Sequence, residues 1–255
     1  MITAVVLVSI LESVSSSDNF NISNVPMLIT PAACDSHVGL VIIIHSHPQH
    51  RQLRQTLRKT WADENINPEL TKTKTVFVVG LSDADEDIRE EANVYSDVIQ
   101  GGFIDSYRNM TIKHLLGYRW VADNCRDAGY VLKSDDDQFI DTFQLSRYLA
   151  TFLPSSAETW YLCQVLTSGP HRHQGSKWFV TEEEWPQGAE YPAYCAGWAY
   201  VTTVTTVVAV LDWSHHLPFF WIDDIHVTGI IPHNFGGVPL YNWVYSFLTT
   251  HITYR

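Results

Sequence analysis

An α/β domain with a largely parallel central sheet is predicted by three features of this sequence. Continuous apolar, β-branched runs read as strands buried on both faces. Stretches with apolar residues at helical spacing alternate with those runs, the pattern of βαβ units. Directly after one run stands an acidic triplet, Asp135-Asp136-Asp137, beyond the carboxyl end of a strand, where open parallel sheets gather their ligands. With 255 residues, 45% of them hydrophobic and 17% charged, the chain carries enough apolar surface for one sizeable packed domain.

The elements follow in order. Residues 2–11 (ITAVVLVSIL) are apolar, but ten residues are too few to span a bilayer as a helix. Their length suits a signal-peptide core or a truncated membrane anchor, although no basic residue precedes them. Residues 13–37 are rich in Ser, Asn and Pro and read as a stem, which divides the chain into 1–37 and a domain over 38–255. Val38 to Ile44 is the first buried strand, and Ser46 and Pro48 signal a helix start. Leu53, Leu57 and Trp61 share one face of that helix, with Arg54 and Arg58 on an adjacent face. Thr75 to Val79 is a second strand closed by Gly80, followed by an acidic helical stretch from Asp83 to Ala92. Ile112, Leu115, Leu116 and Trp120 mark an amphipathic helix, and Tyr130-Val131-Leu132 a third strand running into the triplet.

A net charge of −12 argues against a nucleic-acid backbone as partner, because phosphate tracts need clustered Lys and Arg. It leaves room for a nucleotide whose phosphates are neutralised locally. Cys34, Cys125, Cys163 and Cys195 form no CxxC pair, so a zinc ribbon is not expected; one or two disulfides would form in an oxidising compartment. The sequons Asn21-Ile22-Ser23 and Asn109-Met110-Thr111 fit a secretory-pathway chain. The histidines at 45, 47 and 50, at 171 and 173, and at 215 and 216 show neither HExxH nor finger spacing. Nine Trp and twelve Tyr either fill the core or line a sugar-stacking surface.

Two acidic centres carry the chemistry. Three adjacent carboxylates repel one another unless a cation lies between them. The plain alternative is a solvated turn or helix cap, but Val131-Leu132 and Phe139-Ile140 bracket the triplet, so it interrupts apolar structure. Mn²⁺ or Mg²⁺ prefers carboxylate oxygens and shares phosphate oxygens readily. Asp135 and Asp137, at i and i+2, would present oxygens to one such ion while Asp136 contacts sugar or water. The second centre, Asp223-Asp224, lies inside Phe219-Phe220-Trp221-Ile222-Asp223-Asp224-Ile225. Carboxylates among large apolar groups have raised pKa values suited to a general base; a helix cap is the alternative.

At this point the sequence resembles the β-1,3-galactosyltransferase and β-1,3-N-acetylglucosaminyltransferase family, glycosyltransferase family 31, in an ordered set of motifs from Val38 to near the C-terminus. Residues 54–61 (RQTLRKTW) resemble "R-x-x-I-R-x-T-W", residues 76–80 the "F-x-x-G" strand, and residues 91–97 "E-x-x-x-Y-x-D". Residues 103–113 (FIDSYRNMTIK) resemble "F-x-D-S-Y-x-N-L-T-x-K", and Lys133 to Asp137 "K-x-D-D-D". Trp178 and residues 191–201 (YPAYCAGWAYV) resemble "W-x-V … Y-P-x-Y-x-x-G-x-x-Y". The family's late "E-D-V-x-x-G" is represented by Asp223 to Gly229, with Asp for Glu and one extra residue before the glycine.

The resemblance implies a GT-A-type, Rossmann-like fold, a UDP-sugar donor, Mn²⁺ and inverting β-1,3 transfer to a glycan acceptor on glycoprotein or glycolipid. It places the catalytic domain in the Golgi lumen, held by an N-terminal type II anchor. Asp135 and Asp137 would be metal ligands, joined by a late histidine, His251, with His233 as the fallback. Arg54, Arg58 and Lys113 would face the nucleotide diphosphate, and Gly197 would admit close approach of a sugar. Asp224, or its neighbour Asp223, would be the base. A catalytically silent sugar- or nucleotide-binding protein of the same fold is the rival expectation. A secreted calcium-binding module built on the triplet is a third.

Overall fold

The computed structural model describes residues 20–65, 72–152, 154–243 and 248–249 of the chain. Ten strands are β1 (Met27–Ile29), β2 (Val38–His45), β3 (Lys72–Leu81), β4 (Val98–Ile104), β5 (Tyr130–Asp135), β6 (Phe139–Ile140), β7 (Tyr161–Leu166), β8 (Tyr194–Thr203), β9 (Leu240–Asn242) and β10 (Leu248–Thr249). Helices are α1 (Arg51–Arg58), α2 (Asp85–Tyr95), α3 (Met110–Asn124), α4 (Thr142–Thr151), α5 (Val204–Ser214), α6 (Asp223–Ile225) and α7 (Ile231–Asn234). A π-helical turn, His226–Ile230, joins α6 to α7.

Eight strands form one sheet in the order β1-β4-β3-β2-β5-β8-β7-β9. β4, β3, β2 and β5 run parallel, as β7 does to β9, while β1 and β8 are antiparallel to their neighbours. The mainly parallel α/β architecture expected from the sequence is therefore the one observed. All three expected strands lie inside β2, β3 and β5, each longer than its apolar run because polar ends such as His45 and Lys133–Asp135 continue the ladder.

Alternation along β2 fixes its two faces. Leu40, Ile42 and Ile44 pack with Leu57 and Trp61 of the α1 side, and Val41 and Ile43 pack with Ile112, Leu115 and Leu116 of α3. A Cβ at Gly117 of α3 would lie only 3.1 Å from Ile43, so glycine permits the close helix-to-sheet contact. α3 departs from its expected amphipathic character: from Thr111 to Ala122 every residue but Arg119 is buried. It runs between the sheet and α5, which leaves it no solvent face.

The expected stem is also shorter than the sequence implies. Phe20, Ile22 and Val25 are buried in the main core, β1 extends the sheet beside β4, and Cys34 is joined to Cys125. From Phe20 onward the chain belongs to the packed domain, because its scattered apolar residues outweigh the Ser/Asn/Pro composition around them. A second disulfide joins Cys163 of β7 to Cys195 of β8. The apolar segment over residues 2–11 lies outside the described residues; among those described, no helix is long and apolar enough to cross a membrane.

Candidate active site

The strand order reverses at β2, which has β3 on one side and β5 on the other, and the crevice above that reversal is the usual ligand position in such sheets. Here the carboxyl ends of β2 and β5 pair His45 with Asp135, and the backbone N–H of Asp136 donates to the carbonyl of His45. Two adjoining clefts open above them. One, of about 370 Å³, is lined by His45, Ser46, Asp105, Lys113 and the triplet. The other, of about 450 Å³, shares Asp135 and Asp137 and runs past Trp178, Gly197 and Trp221 to Asp223 and Asp224. The two acidic centres, far apart in sequence, thus line one continuous site.

Within the triplet the three carboxylates differ. Asp136 is buried at the edge of the first cleft, its Oδ2 accepting from Ser46 Oγ at 2.6 Å and meeting His50 Nδ1 at 2.9 Å. It ties the β5 end to the loop after β2. Asp137 is exposed, with Gln138 Nε2 donating to it at 2.6 Å. Asp135 accepts from the buried Lys133 ammonium at 2.7 Å. Burial nevertheless pushes the Asp135 carboxyl up to about 6, against the opposing pull of Lys133. Asp135 and Asp137 line both clefts, and carboxylate oxygens suit a hard dication. Of the histidines expected beside them, His251 lies outside the described residues, and His233 is exposed on α7, apart from both clefts.

The expected cation cradle is built differently. Arg54 is completely buried, and its guanidinium donates to both oxygens of Glu91 at 2.8 Å, to Ser46 Oγ at 2.9 Å and to the carbonyls of His47 and Pro48 at 2.7 and 2.9 Å. Those contacts use its whole donor fork. Arg58 pairs with Glu91 and, at 2.7 and 2.8 Å, with Asp97, and lies over the rings of Phe77 and Tyr95. Both arginines therefore hold the loop after β2 and the α1–α2 packing, and neither lines either cleft. Helical periodicity put them on one face correctly; which partner that face met was beyond it. Lys113 does line the cleft, buried with its ammonium on the Ser46 carbonyl at 2.8 Å and on Asp105 at 2.8–2.9 Å.

The second centre sits on α6. Asp223 meets His114 Nδ1 at 2.8 Å and His45 Nδ1 at 3.9 Å. Burial tends to raise the Asp223 carboxyl, but the His114 contact and the Lys133 charge together hold it below the ordinary aspartate value. Asp224 has no such partner: its Oδ1 accepts only the Ile225 N–H, at 2.9 Å. Burial first, and then the charge of Asp223, push Asp224 up to about 7. Two adjacent carboxylates driven apart in this way are suited to acid/base chemistry. The close approach at Gly197 is made by Asp224 itself, whose Oδ2 would lie 3.1 Å from a Cβ there. The extra residue of the late motif is accommodated by the π-helical turn, which starts at His226 immediately after α6. Thr228 clamps the turn, its Oγ1 donating to the Asp224 carbonyl and accepting from Cys195 N–H.

Three residues that the structure brings to the clefts or to the acidic pair carry no role in the sequence reading. Lys133 is fully buried and reaches both Asp135 and the Gly197 carbonyl, bridging the two centres; a lysine inside an apolar strand two residues before the triplet was its signal. His45 ends β2 fully buried, and neither ring nitrogen finds a partner. His114 lies in a helix face read only for its leucines. His45, His114 and Asp223 bring their ligand atoms within 4.8 Å of one another.

Comparison with known proteins adds a third line. The galactosyltransferase family profile matches residues 52–241. Human and mouse β-1,3-galactosyltransferase 1 are each 31% identical over 227 residues, covering 85% of this chain and 69% of theirs. The mouse acetylgalactosaminyl-O-glycosyl-glycoprotein β-1,3-N-acetylglucosaminyltransferase is 32% identical over 217 residues, covering 79% of this chain and 54% of its own. Among solved structures, a mannosyltransferase from Pyrobaculum calidifontis superposes over 90% of this chain and 61% of its own, with a TM-score of 0.48 and 11% identity.

Proposed function

Since this chain belongs to the galactosyltransferase family and is a hexosyltransferase, we propose that it moves galactose, or N-acetylglucosamine, from a UDP-sugar to a glycan hydroxyl in β-1,3 linkage with inversion. The observation that supports this reading best is the continuity of the clefts, along which the triplet could meet donor phosphates while Asp224 meets an acceptor.

In this reading Asp135 and Asp137 would hold Mn²⁺, and His251 would complete the set. Backbone pairing of Thr249 with Phe139 supports that role, since it brings the chain just before His251 alongside the chain just after Asp137. The metal, when bound, supplies Lewis-acid stabilisation of the departing diphosphate. Lys113 and Lys133 add fixed positive charge along the cleft floor, and Lys133 also holds Asp135 in place. Asp224 accepts the acceptor-hydroxyl proton as that oxygen attacks the anomeric carbon from the face opposite the diphosphate. Trp178, exposed at the cleft mouth, offers a stacking face to the acceptor sugar. Both disulfides support an oxidising compartment, in keeping with a Golgi lumen.

Incubating the purified chain with UDP-galactose or UDP-N-acetylglucosamine, Mn²⁺ and a glycan panel, then weighing products by mass spectrometry, tests the reading. Transfer that stops on chelation is expected. Absence of transfer, donor hydrolysis and metal-dependent UDP binding would overturn it.

A further inference from the structure

The two neighbouring carboxylates of α6 have unequal surroundings, and the difference traces to one side chain. His114 is fully buried in α3 and touches Asp223 Oδ2 through Nδ1 at 2.8 Å. Its Nε2 meets the Tyr200 hydroxyl, which in turn meets the hydroxyl of Tyr118. An ionised carboxylate accepts only, so Nδ1 must carry the proton. A neutral imidazole then presents a lone pair at Nε2, which accepts from Tyr200, and Tyr200 accepts from Tyr118. Every polar atom of His114 is used, and each bond points toward Asp223.

We propose that His114, braced by Tyr200, is the positioning residue of the acidic pair: it pins Asp223 toward α3 and leaves Asp224 as the carboxylate of the cleft that has no side-chain partner and takes the acceptor proton. The inference deepens the reading of Asp224 as the base and rests on it. Other groups facing the pair do not supply this asymmetry. Lys133 acts on both carboxylates and Asp135 opposes ionisation of Asp224, while Tyr107, Tyr191 and Tyr194 lie near as neutral phenols. His45 is 3.9 Å from Asp223 and held neutral by burial, so it brings no charge. Geometry and charge agree: the partnered carboxyl stays ionised below the ordinary range, and the unpartnered one is raised by that fixed charge.

The test uses the whole chain with UDP-sugar, Mn²⁺ and an acceptor. In His114→Leu, Asp223 loses its donor and competes for the proton. The expected result is a kcat at least roughly tenfold lower, a donor KM close to wild type, and an acid limb of the pH profile displaced from its wild-type position as the pair titrates together. His114→Gln keeps an N–H donor and should return the limb toward its wild-type position. Nitrogen-15 NMR of the unaltered protein gives a readout independent of variant folding: His114 should carry its proton on Nδ1, and Asp223→Asn should alter that resonance. An unmoved acid limb in a folded His114→Leu, or a proton on Nε2 alone, would overturn the proposal. Asp224→Asn separates the two readings: if it keeps full activity the base assignment fails, whereas loss of activity there with no response at His114 leaves the base standing and removes only this inference.

Discussion

The two acidic centres make an instructive pair. Both are runs of aspartate set in apolar sequence, and both line the same continuous site. At the end of β5 the carboxylates are staggered by strand geometry: one is buried, one is exposed, and one is left partly compensated by Lys133. On α6 one of the two carboxylates alone has a histidine partner. The first arrangement offers oxygens to a cation; the second separates two identical groups into a fixed charge and a proton acceptor. The same residue type thus does different chemistry because its neighbours differ.

That contrast is sharpest under isosteric replacement. Asp224→Asn is expected to lower transfer by roughly 10²–10⁴-fold while Mn²⁺-dependent UDP binding, followed by calorimetry, stays near wild type. Asp135→Asn should do the reverse in kind, weakening metal-dependent UDP binding along with transfer. Equal loss of UDP binding in both variants would erase the distinction between the centres.

A smaller and different effect is expected at Arg54. Breaking its fully buried pair with Glu91 by Arg54→Met should cost about 3–5 kcal/mol of stability in chemical denaturation. The folded fraction should then keep its donor KM. A raised donor KM without loss of stability would return Arg54 to the diphosphate.

The mildest test is pH. Asp224, raised to about 7, must lose its proton to act, so kcat/KM should fall as pH drops below about 7. Stability runs the other way. A carboxyl whose folded pKa lies above its unfolded value binds more protons when folded, so its contribution is lost as pH rises from about 4 toward 7. The melting temperature of metal-free Asp224→Asn should therefore match wild type near pH 4 and exceed it increasingly toward pH 8. A constant difference across that range would show that Asp224 is not the perturbed group.

Local pattern determined a good deal. The strand-to-triplet transition was legible because buried parallel strands are continuous apolar runs, and Asp135, Asp137, Lys113 and Asp224 were all placed in or beside the clefts on motif alone. Only the tertiary structure decided where Arg54 and Arg58 turn, because Glu91 and Asp97 reach them from another helix and its exit. It also decided that residues 20–37 belong to the domain, through a sheet edge and a disulfide that close over long sequence separations. The division of labour between Asp223 and Asp224 is the plainest case. Their spacing is identical in any reading of the chain, and what separates them is a buried imidazole from α3 reaching one and not the other. Periodicity and motif report what each residue is and which face it shares; a carboxylate's charge state depends on what comes to meet it, and that is set by packing.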